Sequence, residues 1–202
     1  STLTSSSAAS DVYKRQLLLR EAMLPNLVQT LEGNPAFVHC GPFANIAHGN
    51  SSIIADELAL SRSDYVVTEA GFGAEMGAEK ALHIKSLASG ISPSCIVLNV
   101  TVRSMKLHGG GVAGGGGSRP TKEEIETENV EAVRSGASSN LRRHIKNLAA
   151  TSIPVVVSIN RFHTDTDAEI EAIRDEAAKA GAVDIVLFDG FSKGGSGAAD
   201  LA

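Results

Sequence analysis

Aromatic residues are scarce in this chain. It has no tryptophan, and two tyrosines with six phenylalanines make up 4% of its 202 residues. Each ring is therefore worth locating. Only two cysteines occur, Cys40 and Cys95, and there is no C-x-x-C or H-E-x-x-H spacing. That excludes a disulfide framework and leaves no zinc motif, so no metal site is expected. Both thiols lie in or beside apolar runs. They are expected to be buried and free, as in a reducing, cytoplasmic compartment. No apolar run reaches the roughly 18 residues of a membrane span. Basic charge is not in excess: the net charge is −5, which argues against nucleic acid as a partner. An apolar signal-peptide core is missing from the first residues, "STLTSSSAASDVYKRQ". Residues 1–16 are expected to be a disordered, non-native tail ahead of a domain over 17–202.

What is present is a set of short apolar runs, at 36–39, 65–68, 95–100, 155–159 and 184–188. Most are rich in Val and Ile without alternation, as buried parallel strands are. Helical patterns fill the gaps, at 45–60, 74–88, 123–134, 139–149 and 167–180. The last opens on "TDTDAE" and stops at Gly181, a capped start and a glycine end. Strands alternating with helices predict an α/β fold with a mostly parallel sheet and helices on both faces. The segment 108–120, "HGGGVAGGGGSRP", breaks the pattern and reads as either a mobile lid or an insertion.

In an open parallel sheet, ligands bind beyond the carboxyl ends of the strands. The residues following the five runs include His39, Glu69, Phe72, Arg103, Lys106, His108, Asn160, Phe162, Asp165 and Phe191. Acids, bases, cations and rings thus collect on one expected edge. Each has an ordinary alternative. His39 is either a ligand-facing group or a core histidine bonded to backbone. Glu69 either touches ligand or caps the next helix. Arg103 and Lys106 are either anion-binding or solvated surface charges, with the strand-end position of Arg103 favouring the first. Asn160 either faces ligand or fixes its own loop.

The stretch "TEAGFGAEMGAEK" (68–80) invites a dinucleotide-loop reading, but its glycines are spaced G-x-G-x-x-x-G. That is one residue too long, and no acid follows near position 90 to grip a ribose. That spacing and the missing acid argue against a nicotinamide-dependent oxidoreductase. The motif G-x-x-x-x-G-K-[ST] is absent from the chain as well. Glycines on both sides of Phe72 permit a tight loop that pushes its ring outward. With Phe162 and Phe191 at comparable edges, three rings point to a flat heterocycle such as a pterin or purine, or else to ordinary core positions.

Several stretches together resemble one family. They are "PNLVQTLEGNPAFVHCGPFANIAHGNSSIIAD" (25–56), "DYVVTEAGFGAEMGAEK" (64–80), "VTVRSMKLHGGG" (100–111), "IPVVVSINRFHTDT" (153–166) and "FSKGGSG" (191–197). They are similar to formate–tetrahydrofolate ligases, from about Leu17 to the end. The resemblance implies a domain like that of P-loop nucleotide hydrolases and a homotetrameric parent chain, activated by a monovalent cation. It also implies a reaction in which MgATP phosphorylates formate to formyl phosphate. N10 of tetrahydrofolate then displaces the phosphate, giving 10-formyltetrahydrofolate. Phe72 and Phe162 match family positions associated with folate. Phe191 stands where the family often carries tryptophan, and His163 where many members carry proline. The family's phosphate loop and formyl-phosphate arginine have no counterpart in these 202 residues. The chain alone is therefore expected to be an inactive interior fragment with exposed edges and marginal stability. The alternative is a folate- or nucleotide-binding module without catalysis.

Overall fold

The computed structural model describes residues 5–43, 46–110 and 121–202, with side chains from residue 11 onward. The Gly-rich stretch at 111–120, the body of the expected lid or insertion, lies outside them. The chain divides into two compact units, Ser1–Ile91 and Ser92–Ala202. No helix among the described residues is long and apolar enough to cross a membrane.

The first unit begins with α1 (Ser5–Leu19), which covers most of the stretch expected to be a disordered tail. The described side chains of α1 are all exposed. A helix of that length without packing is marginal in water. Strands β1 (Asn26–Gln29) and β2 (Pro35–Val38) follow, paired antiparallel with Leu27 opposite Phe37. The run at 36–39, read as a parallel strand, is thus one arm of a hairpin. Its partner "NLVQ" is too short and polar to stand out. Helix α2 (Ile53–Leu60) starts at Ser52, whose hydroxyl accepts from the amide of Ala55. The run at 65–68 is a second correction. It joins no ladder, and Tyr65 and Val67 are 91% and 98% exposed. Apolar patterning favours a strand but cannot supply the neighbour a strand must pair with. Helices α3 (Gly77–Lys80) and α4 (Ser86–Ser89) flank a π-helical turn, Ala81–Lys85.

The second unit carries the sheet. Strands β3 (Ile96–Val100), β4 (Val155–Asn160) and β5 (Asp184–Phe188) run parallel in the order β3-β4-β5. The register sets Leu98, Val157 and Ile185 side by side, then Val100, Ile159 and Leu187. All six belong to or pack on one core cluster, so they share a face of the sheet. Val102 and Met105 of α5 (Val102–His108) join them. After α6 (Lys122–Glu126), so do Val133 of α7 (Val130–Gly136) and Ile145 of α8 (Arg142–Ala149). Ile170, Ile173 and Ala177 of α9 (Asp167–Ala180) complete the cluster.

The strand order explains this one-sided packing. Two right-handed crossovers that step in the same direction place their helices on the same face. The opposite face is covered unevenly: Val186 is buried, but Val97 on β3 is 51% exposed. The α/β class with a parallel sheet stands, as part of a nucleotide-binding-like domain.

Among the described residues, every buried apolar side chain lies in the second unit. A fully buried Val, Ile or Leu contributes about 1.5–3 kcal/mol. The second unit therefore holds nearly all the hydrophobic stabilisation. The buried side chains of the first unit are His39, Asp56 and Lys85, all polar. Both cysteines are free, but they are exposed, contrary to the expected burial. Cys40 lies just past the end of β2 and Cys95 just before β3, so neither belongs to a packed strand.

Local chemistry fits the elements. Thr166 and Glu169 form a reciprocal capping box at the start of α9, and Gly181 ends it at φ 97°. Thr101 and Ser104 do the same for α5. Helices α5 and α7 cross with almost no space. A Cβ on Gly109 would meet the Ala132 carbonyl oxygen at 1.8 Å, and one on Gly136 would meet that of Met105 at 2.0 Å. Overpacking of this kind costs typically 1–3 kcal/mol. Gly136→Ala is expected to lower the unfolding free energy by about that amount, read as a lower urea midpoint at unchanged slope. A midpoint equal to the parent's would show that the crossing gives way.

Candidate functional site

The carboxyl edge of the sheet in the second unit carries most of the sequence-predicted residues. Asn160 ends β4 opposite Phe188, and the Arg161 amide still donates to the Phe188 carbonyl. The chain then turns. The Asp165 amide donates to the Phe162 carbonyl at 3.0 Å, and the Phe162 amide donates to Asp165 Oδ2 at 2.8 Å. This closed turn fixes the base of the Phe162 side chain. The guanidinium of Arg103, from the first turn of α5, lies 5.7 Å from the centre of the Phe162 ring. At that distance a cation is attracted to the ring face. The ring remains 42% exposed, leaving area for a ligand. Burial raises the carboxyl of Asp165 above its ordinary value, although the Phe162 amide and the nearby cations oppose that.

Lys106, one turn beyond Arg103, was expected at the surface or on an anion. It is 1% exposed. Its ammonium donates to the carbonyls of Ile125 and Thr127, each at 2.9 Å, and pairs with Glu169 Oε1 at 2.7 Å. Glu169, also buried, accepts from the amides of Asn129 and Thr166 too. Burial works to raise its pKa. The hydrogen bonds from Lys106, Asn129 and Thr166, with the lysine charge, overcome this and hold it below the ordinary value. A capping-box glutamate was legible at this position in the sequence, but the lysine partner 63 positions earlier was not.

Phe191 sits on the short helix α10 (Gly190–Lys193), after the neighbouring strand β5, and is 96% exposed. Asp189 pairs with Lys193 at 3.0 Å. Hydrogen bonds from Lys193 and Ser192 hold its carboxyl below the ordinary range. The edge thus brings together Arg103, Phe162 and Asp165 in direct contact, with Asn160 at its base and Phe191 on the adjoining strand end.

His39, Glu69 and Phe72 lie in the first unit. His39 is a core histidine bonded to backbone. Its Nε2 is 2.9 Å from the Ala22 carbonyl, which can only accept, so Nε2 carries the proton. Its Nδ1 then accepts from the Ser52 hydroxyl at 2.6 Å. Glu69 is exposed. Phe72 is 62% exposed and itself adopts φ 65°, the left-handed region, whereas Gly71 and Gly73 do not. Gly77 has a packing role: a Cβ there would meet the Gly71 carbonyl oxygen at 1.8 Å. A polar cluster missed in the sequence lies nearby. Lys85, delivered by the π-helical turn, pairs with Asp56 at 2.9 Å, and Asn50 donates to Asp56 and to Thr68.

A parallel α/β sheet with a cation, a ring and carboxylates at its carboxyl edge is consistent with part of a nucleotide-binding-like domain. Comparison narrows that class. The family model for formate–tetrahydrofolate ligase matches residues 12–202, so the chain belongs to that family. The match begins five residues ahead of Leu17. A formate–tetrahydrofolate ligase of Granulibacter bethesdensis is 54% identical over 186 residues, covering 92% of this chain and 31% of the relative. One from Desulforamulus reducens is 49% identical, covering 92% and 32%. One from Mesorhizobium japonicum is 50% identical over 201 residues, covering 96% and 34%. The chain spans about a third of the length of the curated relatives it matches.

The buried carboxylates set a pH dependence. Glu169 and Glu176 both have depressed pKa values, Glu176 chiefly through hydrogen bonds from Lys179 and Arg142. A depressed carboxylate contributes stability above its unfolded value and loses it as pH falls through its folded value. Urea stability is therefore expected to fall as pH drops below about 4.5. Glu169→Gln and Glu176→Gln should each flatten that fall. An unchanged acid limb in both variants would remove these two groups as its source.

Proposed function

We propose that this chain is a segment of a ligase that uses ATP to join formate to tetrahydrofolate, giving 10-formyltetrahydrofolate, ADP and phosphate. Formyl phosphate would link the two halves of the reaction. Membership of the family along nearly the whole chain, at about half identity, carries this reading. In it, Phe72, Phe162 and Phe191 are the candidate folate-binding rings, and Arg103, Asn160 and Asp165 lie with Phe162 at the carboxyl edge of the parallel sheet. The exposure of all three rings supports the assignment, because a stacking ring must have a free face. Glu69, being exposed, remains available to ligand. His39 is left out of the ligand contacts, since both of its nitrogens are engaged by Ser52 and the Ala22 carbonyl.

MgATP, a monovalent cation, a homotetrameric parent and a cytoplasmic location belong to the same proposal. No observation favours a non-catalytic module over it. Nothing in these 202 residues has the spacing of a phosphate loop, so phosphoryl transfer would lack its main charge stabilisation in the chain alone. The purified chain is expected to show no ATP turnover that depends on formate and tetrahydrofolate. Measured turnover would refute this.

The folate assignment has its own test. In a full-length ligase carrying this segment, Phe72→Ala is expected to raise the KM for tetrahydrofolate about tenfold, the scale of one lost stacking contact, with little change for ATP. Equal losses for both substrates would return Phe72 to a structural role.

A further inference from the structure

The contact between Arg103 and Phe162 depends on two separate stretches of chain, and one buried ion pair ties both. Arg103 lies on α5 one turn before Lys106. Phe162 lies in the turn closed by Asp165, which immediately precedes the Thr166 cap of α9. Glu169, in the first turn of α9, accepts from the Thr166 amide and pairs with Lys106 at 2.7 Å. We propose that Lys106 and Glu169 are positioning residues, a strut that holds Arg103 on the face of Phe162 at the ligand edge. The link to ligand rests on the reading of Phe162 as a ring of the folate site.

Three observations support the strut. First, it is saturated. The three ammonium hydrogens of Lys106 have three oxygen acceptors, and both carboxylate oxygens of Glu169 are engaged. The pair therefore has one geometry and little freedom to turn. Second, stability alone does not require it. Two buried charges lose so much hydration that an apolar pair of similar volume is often as stable or more so. What apolar side chains would not reproduce is the directional hold on α5, on the stretch from Ile125 to Asn129 and on the start of α9. Third, Arg103 is exposed and Phe162 nearly half so, so burial does not hold them together. Their elements must be set from behind.

The test uses the 202-residue chain and two readouts. Ring-current displacement of the Arg103 side-chain protons in NMR spectra reports the contact, and its loss in Phe162→Ala assigns it. Binding of 5-formyltetrahydrofolate reports the site. The double variant Lys106→Met/Glu169→Met removes both charges together, so neither is left unpaired. It is expected to keep the melting temperature while the displacement falls by more than half and Kd for the probe rises about tenfold. Full displacement in the folded double variant overturns the strut. Should the double variant not fold, Lys106→Met/Glu169→Gln, which likewise leaves no buried charge and keeps one acceptor toward the main-chain amides, decides in the same way. Loss of folding in both makes the pair a requirement of the fold and also overturns the inference. If the parent chain does not bind the probe, or Phe162→Ala leaves binding unchanged, the folate reading fails. The displacement still decides the strut.

Discussion

A lysine ammonium removed from water must find acceptors for its hydrogens or lose its charge. Lys106 meets that constraint in full, and the second unit is arranged around how it does so. Two acceptors are main-chain carbonyls at 125 and 127, and the third is a carboxylate on α9. Because Glu169 also accepts from main-chain amides, one pair fastens three segments far apart in sequence. The helix crossing at Gly109 and Gly136 adds a steric constraint on the same helix. Backbone contact on one side and ionic contact at the other leave α5 a single seat.

Elements that carry their own local signals were legible in the sequence. Helix α9 and strand β5 fall on their expected bounds, 167–180 and 184–188, because a capping box, a terminal glycine and a Val/Ile run are read within a few residues. Strands β3 and β4 shift by one residue at an end. What failed depended on partners. The run at 65–68 has strand composition but no neighbour, and the run at 36–39 found a polar, nearby one. Site residues divide the same way. Arg103, Asn160, Phe162 and Asp165 were placed by the rule that ligands meet strand ends, and they do lie on one edge. The burial of Lys106 and Glu169 was not legible, since a charge pair separated by 63 positions leaves no local pattern.

The two units differ in kind. One has a continuous apolar core under a three-stranded sheet. The other buries polar groups and leaves Leu27, Val28 and Val38 of its hairpin about half exposed or more. Its specific geometry comes from hydrogen bonds, such as His39 between Ser52 and Ala22, and from the pairing of Lys85 with Asp56. Directional contacts define positions well but contribute little net stability. The first unit is therefore better specified than it is stabilised.

The loop that first suggested a dinucleotide fingerprint has a less familiar property. Its left-handed residue is the phenylalanine, while the glycines beside it adopt ordinary angles. A bulky side chain in that region costs about 1–3 kcal/mol, and glycine at the same position would not bear that cost. Stability taken alone would place the smallest residue at 72. The sequence places a large ring there, in a chain where rings are scarce. Under the proposed folate reading, residue 72 is a point where conformational comfort and ligand contact pull in opposite directions, and where improving a variant of the parent ligase for thermal resistance would act against its use of substrate.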